Sequence, residues 1–272
     1  MPELGEVLFF AKRWDAGVRE RIQHVALHPE KRIFRECDTT ELQRALTDSK
    51  LRERLVHGKQ MAFRADNGWL GIHLGMTGKL RCEPRKYEPA KHDHMVLYTA
   101  RRALVFEDFR LFGRVRFHPG QEPPEWWAKQ PPMPTDAAFT RERFSDILQR
   151  RGKAPIKAVL LLQAYFPGIG NWMADEVLWR ARIRPDRLAG ELSRRKEGEL
   201  YAKVREVCAD AMRLMGGEGL DELPGNHNDL VPESWLFRHR WREGGTCPET
   251  GVQLRREKIG GRTTCWSPKW QR

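Results

Sequence analysis

The sequence predicts an α+β fold, with a strand-rich N-terminal part, a helical C-terminal part and a terminal hairpin. Three observations predict it. Residues 61–117 hold successive β-rich runs, MAFRADNGWLGIHLGM, HMVLYTA and ALVFEDFRLFGRVRF. From Phe139 onward the apolar residues recur at helical spacing. Between the two, HPGQEPPEWWAKQPPMPT concentrates proline, which fixes φ and removes backbone donors.

The elements follow in order. Val7 to Trp14 holds no breaker and reads as a helix. Thr40 precedes ELQRALTDSKLRERLV, which predicts a second helix from Thr39 to Val56. Asp66-Asn67-Gly68 is a hairpin turn signal within the strands. RERFSDILQRR, IKAVLLLQAYF, WMADEVLWRARI and KEGELYAKVREVCADAMRLM predict four helices, the last stopped by Gly216-Gly217. Residues 217–234 read as a loop. TGVQLRREKIGGRTTCWS gives two strands around Gly260-Gly261. The expected domains are 1–118, a linker without regular structure over 119–137, a helical domain over 138–234 and a hairpin finger over 235–272.

The chain has 272 residues, with 49 basic and 37 acidic, for a formal charge of +12 and a pI near 9.8. That excess attracts polyanions, so nucleic acid is the expected partner class, although charge names no reaction. No apolar run reaches membrane-spanning length, and MPELGEVLFFAKRWD lacks the pattern of a signal peptide. A cytoplasmic monomer is the expectation. The five cysteines form no CxxC pair, which argues against a disulfide framework and against a four-cysteine zinc site.

Pro2 follows an initiator methionine of the kind removed before small residues. Its ring nitrogen would then be a free secondary amine, and α-amino groups ordinarily titrate at about 7.7–8.0. Such an amine is a nucleophile near neutral pH and forms an iminium on attacking a sugar C1′. Glu3 and Glu6 could transfer protons beside it, or could simply favour the positive end of a helix.

MPELGEV resembles the MPELPEV start of the formamidopyrimidine-DNA glycosylase and endonuclease VIII family. HGKQMAF, HLGMTGKL, KHDHMVL, EDFRLFGRV, IKAVLLLQAYFPGIGNWMADEVLWRARIRPDR and GGRTTC match further family segments in order, along nearly the whole chain. The resemblance implies an N-terminal β-sandwich with flanking helices and a C-terminal helix–two-turn–helix domain ending in a β-hairpin finger. It implies a bifunctional DNA glycosylase and abasic-site lyase. Pro2, Glu3, Glu6, Lys59 and Arg262 would be catalytic. The partner implied is double-stranded DNA carrying a damaged base or an abasic site.

The resemblance also assigns DNA contacts. Met76, Arg110 and Phe112 match the triad that fills the hole left by an extruded base, although Met76 and Phe112 could equally be core strand residues. A second arginine common in the family is Leu111 here. Asn171, at a glycine-rich helix start, matches a phosphate-binding asparagine and could equally be a cap. His92, Lys153 and Lys157 fall at DNA-contacting positions, with a solvated basic surface as the alternative. Arg262 at the hairpin tip would clamp the phosphates beside the lesion.

Family fingers commonly hold zinc on four cysteines. The corresponding residues here are Cys247, Thr250, Ser267 and Trp270, so one thiol of four remains. The expectation is a zincless finger held by packing, with Trp266, Trp270, Trp235 and Trp241 as candidates and no cofactor. Gly5 replaces the second proline of the family start, which would loosen the backbone between Glu3 and Glu6. Two rival functions stay open at this stage. One is a lesion-binding protein without catalysis; the other is a glycosylase for bulky alkyl adducts or crosslinks.

Overall fold

In a computed structural model the described residues are 1–241 and 243–272. They divide into two compact units. One comprises Met1–Pro2 and Glu6–Gln130; the other comprises Glu3–Gly5 and Pro131–Arg272.

The first unit holds α1 (Leu4–Lys12, from Glu6 on), β1 (His24–Leu27), α2 (Thr39–Leu46), β2 (Leu51–His57), β3 (Gln60–Ala65), β4 (Gly68–His73), β5 (Lys79–Pro84), β6 (Asp93–Tyr98), β7 (Arg102–Glu107), β8 (Arg114–Pro119) and α3 (Glu125–Ala128). The strands form two four-stranded antiparallel sheets, ordered β1-β6-β7-β5 and β2-β3-β4-β8. Alternate side chains face a shared core, as a period of two requires. Met61 and Phe63, Leu70 and Ile72, Met95 and Leu97, and Leu104 and Phe106 all enter one buried cluster. Trp14 closes it, its ring 5.0 Å from Phe63 and its indole N–H donating to the Arg81 carbonyl at 3.1 Å. This is the expected sandwich.

Two local expectations for this unit fail. The helix expected over Thr39–Val56 stops at Leu46. Asp38 caps its start, its carboxylate accepting from the Thr40 and Glu41 amides. Asp48 then turns the chain at φ 62°, and Leu51–His57 pairs with β3. The helix formers of LRERLVH yield to the sheet neighbour, since cross-strand pairing outweighs local propensity. Within the proline-rich segment, Glu125–Ala128 is helical, Pro124 acting as its N-cap. Trp126 covers Gly71 on β4, where a Cβ would lie 2.5 Å from its ring. Burial of that face gives the segment a structure its prolines alone would not.

The second unit holds α4 (Arg141–Arg150), α5 (Ile156–Leu160), α6 (Asn171–Arg180), α7 (Arg194–Asp210), α8 (Leu236–His239), β9 (Arg255–Ile259) and β10 (Arg262–Trp266). The expected long IKAVLLLQAYF helix is one turn and a half. Two tight turns follow, closed by Gln163, whose amide donates to the Ile169 carbonyl at 2.7 Å and accepts from the Gly168 amide at 3.3 Å. α6 is buried from Trp172 to Trp179, as suits a helix packed on several sides. α7 runs into a π-turn over Ala211–Met215, after which Gly217 at φ 66° ends it. β9 and β10 pair around Gly260-Gly261, as expected. The expected loop over 217–234 contains a short 3-10 turn, His227–Leu230.

Candidate functional site

In the first unit two loops meet. One joins β4 to β5 and carries Met76; the other joins β7 to β8 and carries Arg110 and Phe112. Buried Asp108 binds them together. Its carboxylate accepts from the Thr77 hydroxyl at 2.7 Å, the Gly113 amide at 2.7 Å and the Arg110 amide at 3.3 Å. Met76 and Phe112 stay 40% and 43% exposed, so they are surface residues and not strand core. The Arg110 guanidinium lies 4.8 Å from the Phe112 ring centre. Met76, Arg110 and Phe112 thus stand exposed on two loops joined through Asp108.

Leu111 takes φ 57°, a strained value for a branched residue, and packs against the sandwich core. It anchors the loop at the position where the resemblance led to the expectation of a second arginine. His73 accepts from the Gly75 amide through Nδ1 at 3.1 Å and so fixes the turn before Met76. Burial, followed by the charges of Arg114 and Lys59, pushes the His73 imidazole down to about 4. The ring is thus neutral and free to accept. Lys59 sits in the two-residue turn between β2 and β3 and is buried, unlike an ordinary surface lysine. The His92 ring meets Phe109 edge-on at 4.8 Å.

In the second unit Glu3 takes the start of α6. Its two carboxylate oxygens accept from the amides of Gly170 at 2.9 Å, Trp172 at 3.0 Å and Met173 at 3.0 Å. Three backbone amides of this glycine-rich helix start are thus engaged by Glu3. A Cβ at Gly170 would lie 2.3 Å from the Glu3 carboxyl carbon, so only glycine admits it. Gly5 is likewise no loosening element, since a Cβ there would meet the Ala211 carbonyl oxygen at 2.5 Å. The Leu4 amide donates to the Gly168 carbonyl at 3.2 Å. The residues directly after Pro2 are thus firmly anchored.

Lys157 needs a correction. Its side chain is fully buried and ion-paired with Asp175, and its ammonium also donates to the Asn171 carbonyl at 2.6 Å. It cannot reach a phosphate from there. Asp175 also accepts from Arg240 and from the Cys265 amide at 3.0 Å, joining α6 to β10. The Asn171 side-chain Nδ2 donates to the Thr263 carbonyl at 2.8 Å, which ties the same helix to the hairpin. Lys153 and Arg262 are exposed, the latter first in β10 after the glycine turn. Pro2 is half-buried and Glu6 lies in the first turn of α1.

Residues 1–115 match the N-terminal domain of formamidopyrimidine-DNA glycosylases, and residues 131–221 match their H2TH domain. The formamidopyrimidine-DNA glycosylase of Thermus thermophilus is 34% identical, with 100% of this chain and 98% of the relative covered. That of Pelotomaculum thermopropionicum is 31% identical, with 100% and 99% covered. The chain belongs to the formamidopyrimidine-DNA glycosylase family. It is a base-excision-repair DNA glycosylase. Lactococcus lactis Fpg in complex with DNA containing N7-benzyl-Fapy-dG superposes with a TM-score of 0.85, at 26% identity and 99% coverage of both chains. The same protein in complex with DNA containing an oxidised pyrimidine gives the same score.

The finger positions of this family member do not fit zinc. Cys247 is the one thiol, facing the hydroxyls of Ser267 and Thr250, while Trp179 donates its indole N–H to the sulfur at 3.4 Å. Burial pushes the Cys247 thiol up, but the polar groups around it, the Ser267 and Thr250 hydroxyls, the Trp179 indole and the Glu249 backbone, leave it below its ordinary value. Trp179, Leu236, Cys247, Leu254 and Cys265 form a core with Trp270 against it. The hairpin is packed, as expected, but on Trp179 of α6, which sequence reasoning missed. Trp235 instead packs on Trp172, and Trp241 is exposed. Cys247 and Cys265 are free thiols. Sequence reasoning also missed Asp108, Asp175 and His73. The acidic residue inside EDFRLFG and the histidine of HLGMTGKL were the available signals.

Proposed function

We propose that this glycosylase removes an oxidised or otherwise modified base from duplex DNA through a covalent intermediate on Pro2. Once Met1 is removed, the ring nitrogen attacks C1′ as the base departs with its bonding electrons and takes up a proton; the nitrogen loses its own proton, and cleavage of the C1′–O4′ bond with protonation of O4′ opens the sugar and leaves an iminium. The resulting iminium acidifies the C2′ hydrogen. Loss of that proton and cleavage of the C3′–O bond complete β-elimination, and a second elimination at C5′ can follow. Glu6 and Lys59 are suited to proton transfer. Glu3, its oxygens engaged by three backbone amides, holds the nucleophile's neighbour in place and contributes negative charge near the iminium. Met76, Arg110 and Phe112 fill the vacated stack. Arg262 and Lys153 hold phosphates. The reaction needs no cofactor, and the bacterial origin of the relatives supports a cytoplasmic setting for a monomer.

The anchoring of Glu3 on α6 carries this reading, because a covalent nucleophile needs a fixed backbone behind it. Among the described residues no helix is long and apolar enough to cross a membrane. The reading for bulky alkyl adducts rests on Leu111 and the altered finger, and of these Leu111 packs against the sandwich core and gives it no support. A panel of duplexes carrying 8-oxoguanine, formamidopyrimidine, an oxidised pyrimidine or an alkylated base tests the proposal. Incision of at least one oxidised or ring-opened substrate, with elimination-type ends, is expected. Binding without incision across the whole panel would favour a lesion reader instead.

A further inference from the structure

We infer that Phe109 is a second aromatic contact to the duplex, stacking on a base beside the extrusion point with His92 as its buttress. The inference rests on the glycosylase reading above and adds a residue to it. Phe109 is 67% exposed, more than any other large apolar side chain among the described residues. Such a ring normally gains stability by burial, so its exposure needs a reason.

Its position is rigid. The Asp108 amide donates to the His92 carbonyl at 3.0 Å on one side. On the other, the Arg110 amide donates to the Thr77 hydroxyl at 3.3 Å. The His92 ring meets Phe109 edge-on, at 71° between planes, and so supports it laterally. The left-handed Leu111 breaks the strand alternation, so Phe109, Arg110 and Phe112 all face outward while Leu111 faces inward. Of six exposed large apolar side chains among the described residues, Met76, Phe109 and Phe112 stand on these two joined loops.

The flanking charge selects the occupant. Lys91, next to His92 in the chain, and Arg110, next to Phe109, are both exposed, a combination suited to a polyanion with apolar faces and not to an apolar protein surface. Duplex DNA opened by base extrusion offers both phosphates and an unstacked base face.

The test uses the full chain and a duplex with a tetrahydrofuran abasic analogue. 2-Aminopurine is placed opposite the analogue or at either flanking position. Phe109→Ala and Phe109→Leu should weaken binding by at least about five-fold, the lower end for a base–aromatic stack, while Phe109→Tyr stays within about two-fold. The 2-aminopurine at one position should be quenched by wild type and by Phe109→Tyr, and brighten in the other two variants. Thermal melting should be unchanged, because the ring is exposed. Wild-type affinity and unchanged fluorescence in Phe109→Ala would overturn the inference. So would a loss confined to thermal stability, which would make the ring only a packing partner of His92. If wild type itself fails to prefer the abasic duplex over an undamaged one, the glycosylase reading falls first and this inference falls with it.

Discussion

A methyl added at Gly170 would collide with the Glu3 carboxyl group, because three backbone amides draw that carboxylate against the helix start. Gly170→Ala should therefore eject Glu3 and leave buried amides unsatisfied, at about 1–3 kcal/mol in urea unfolding. The loss of covalent product formation should be larger than that of DNA binding. His73 gives a pH signature. Its folded-state value, about 4, lies below the unfolded value of 6.5, so the unfolded chain takes up the proton first. Its contribution to stability is complete above pH 6.5 and disappears as the pH falls toward 4. His73→Gln should flatten the dependence of the urea midpoint on pH across that window. Lys157 and Lys153 separate two meanings of a basic residue. Lys157→Met removes one of the two cations paired with buried Asp175, Arg240 remaining, and should cost about 1–3 kcal/mol of stability. Lys153→Met should leave stability unchanged and reduce the salt slope of DNA binding by about 1. Equal stabilities for the two variants would contradict the burial of Lys157.

At the level of elements, the finger is the informative case. Trp179 fills the space beside Cys247, so Trp179→Ala should cost about 3–5 kcal/mol and loosen the hairpin, read as faster amide exchange in β9 and β10. Much of this architecture was legible in the sequence. Asp66-Asn67-Gly68 and Gly260-Gly261 state their turns locally, and the apolar runs of β3, β4, β6 and β7 state strands buried along most of their length. HLGMTGKL and EDFRLFG placed Met76, Arg110 and Phe112 in loops because each segment is a short connection between strands successive in the chain. What was hidden depends on distant partners. LRERLVH carries helix formers, and only pairing with β3 makes it a strand. Lys157 reads as surface because nothing beside it announces Asp175, eighteen residues on. Glu3 meets α6 some 167 residues away, and no local pattern encodes that contact. Trp179 looked like one more apolar position on a helix.

For the molecule as a whole, the proposed function takes affinity from the excess of basic residues and chemistry from Pro2, and the two should separate experimentally. Binding to undamaged duplex should weaken steeply with salt, at a slope of about 0.9 per phosphate neutralised, and should be indifferent to Pro2. Arg262→Ala should lower that slope by about 1 while leaving the fold intact, since its side chain is exposed at the hairpin turn. The chemistry is tested most directly by borohydride reduction of the protein with a duplex containing an abasic site, followed by peptide mass analysis. The account predicts a stable protein–DNA adduct on a chain that begins at Pro2, with the added mass on the N-terminal peptide, and no adduct from protein that retains Met1. An adduct on another residue, or full incision activity from protein that keeps its methionine, would contradict it.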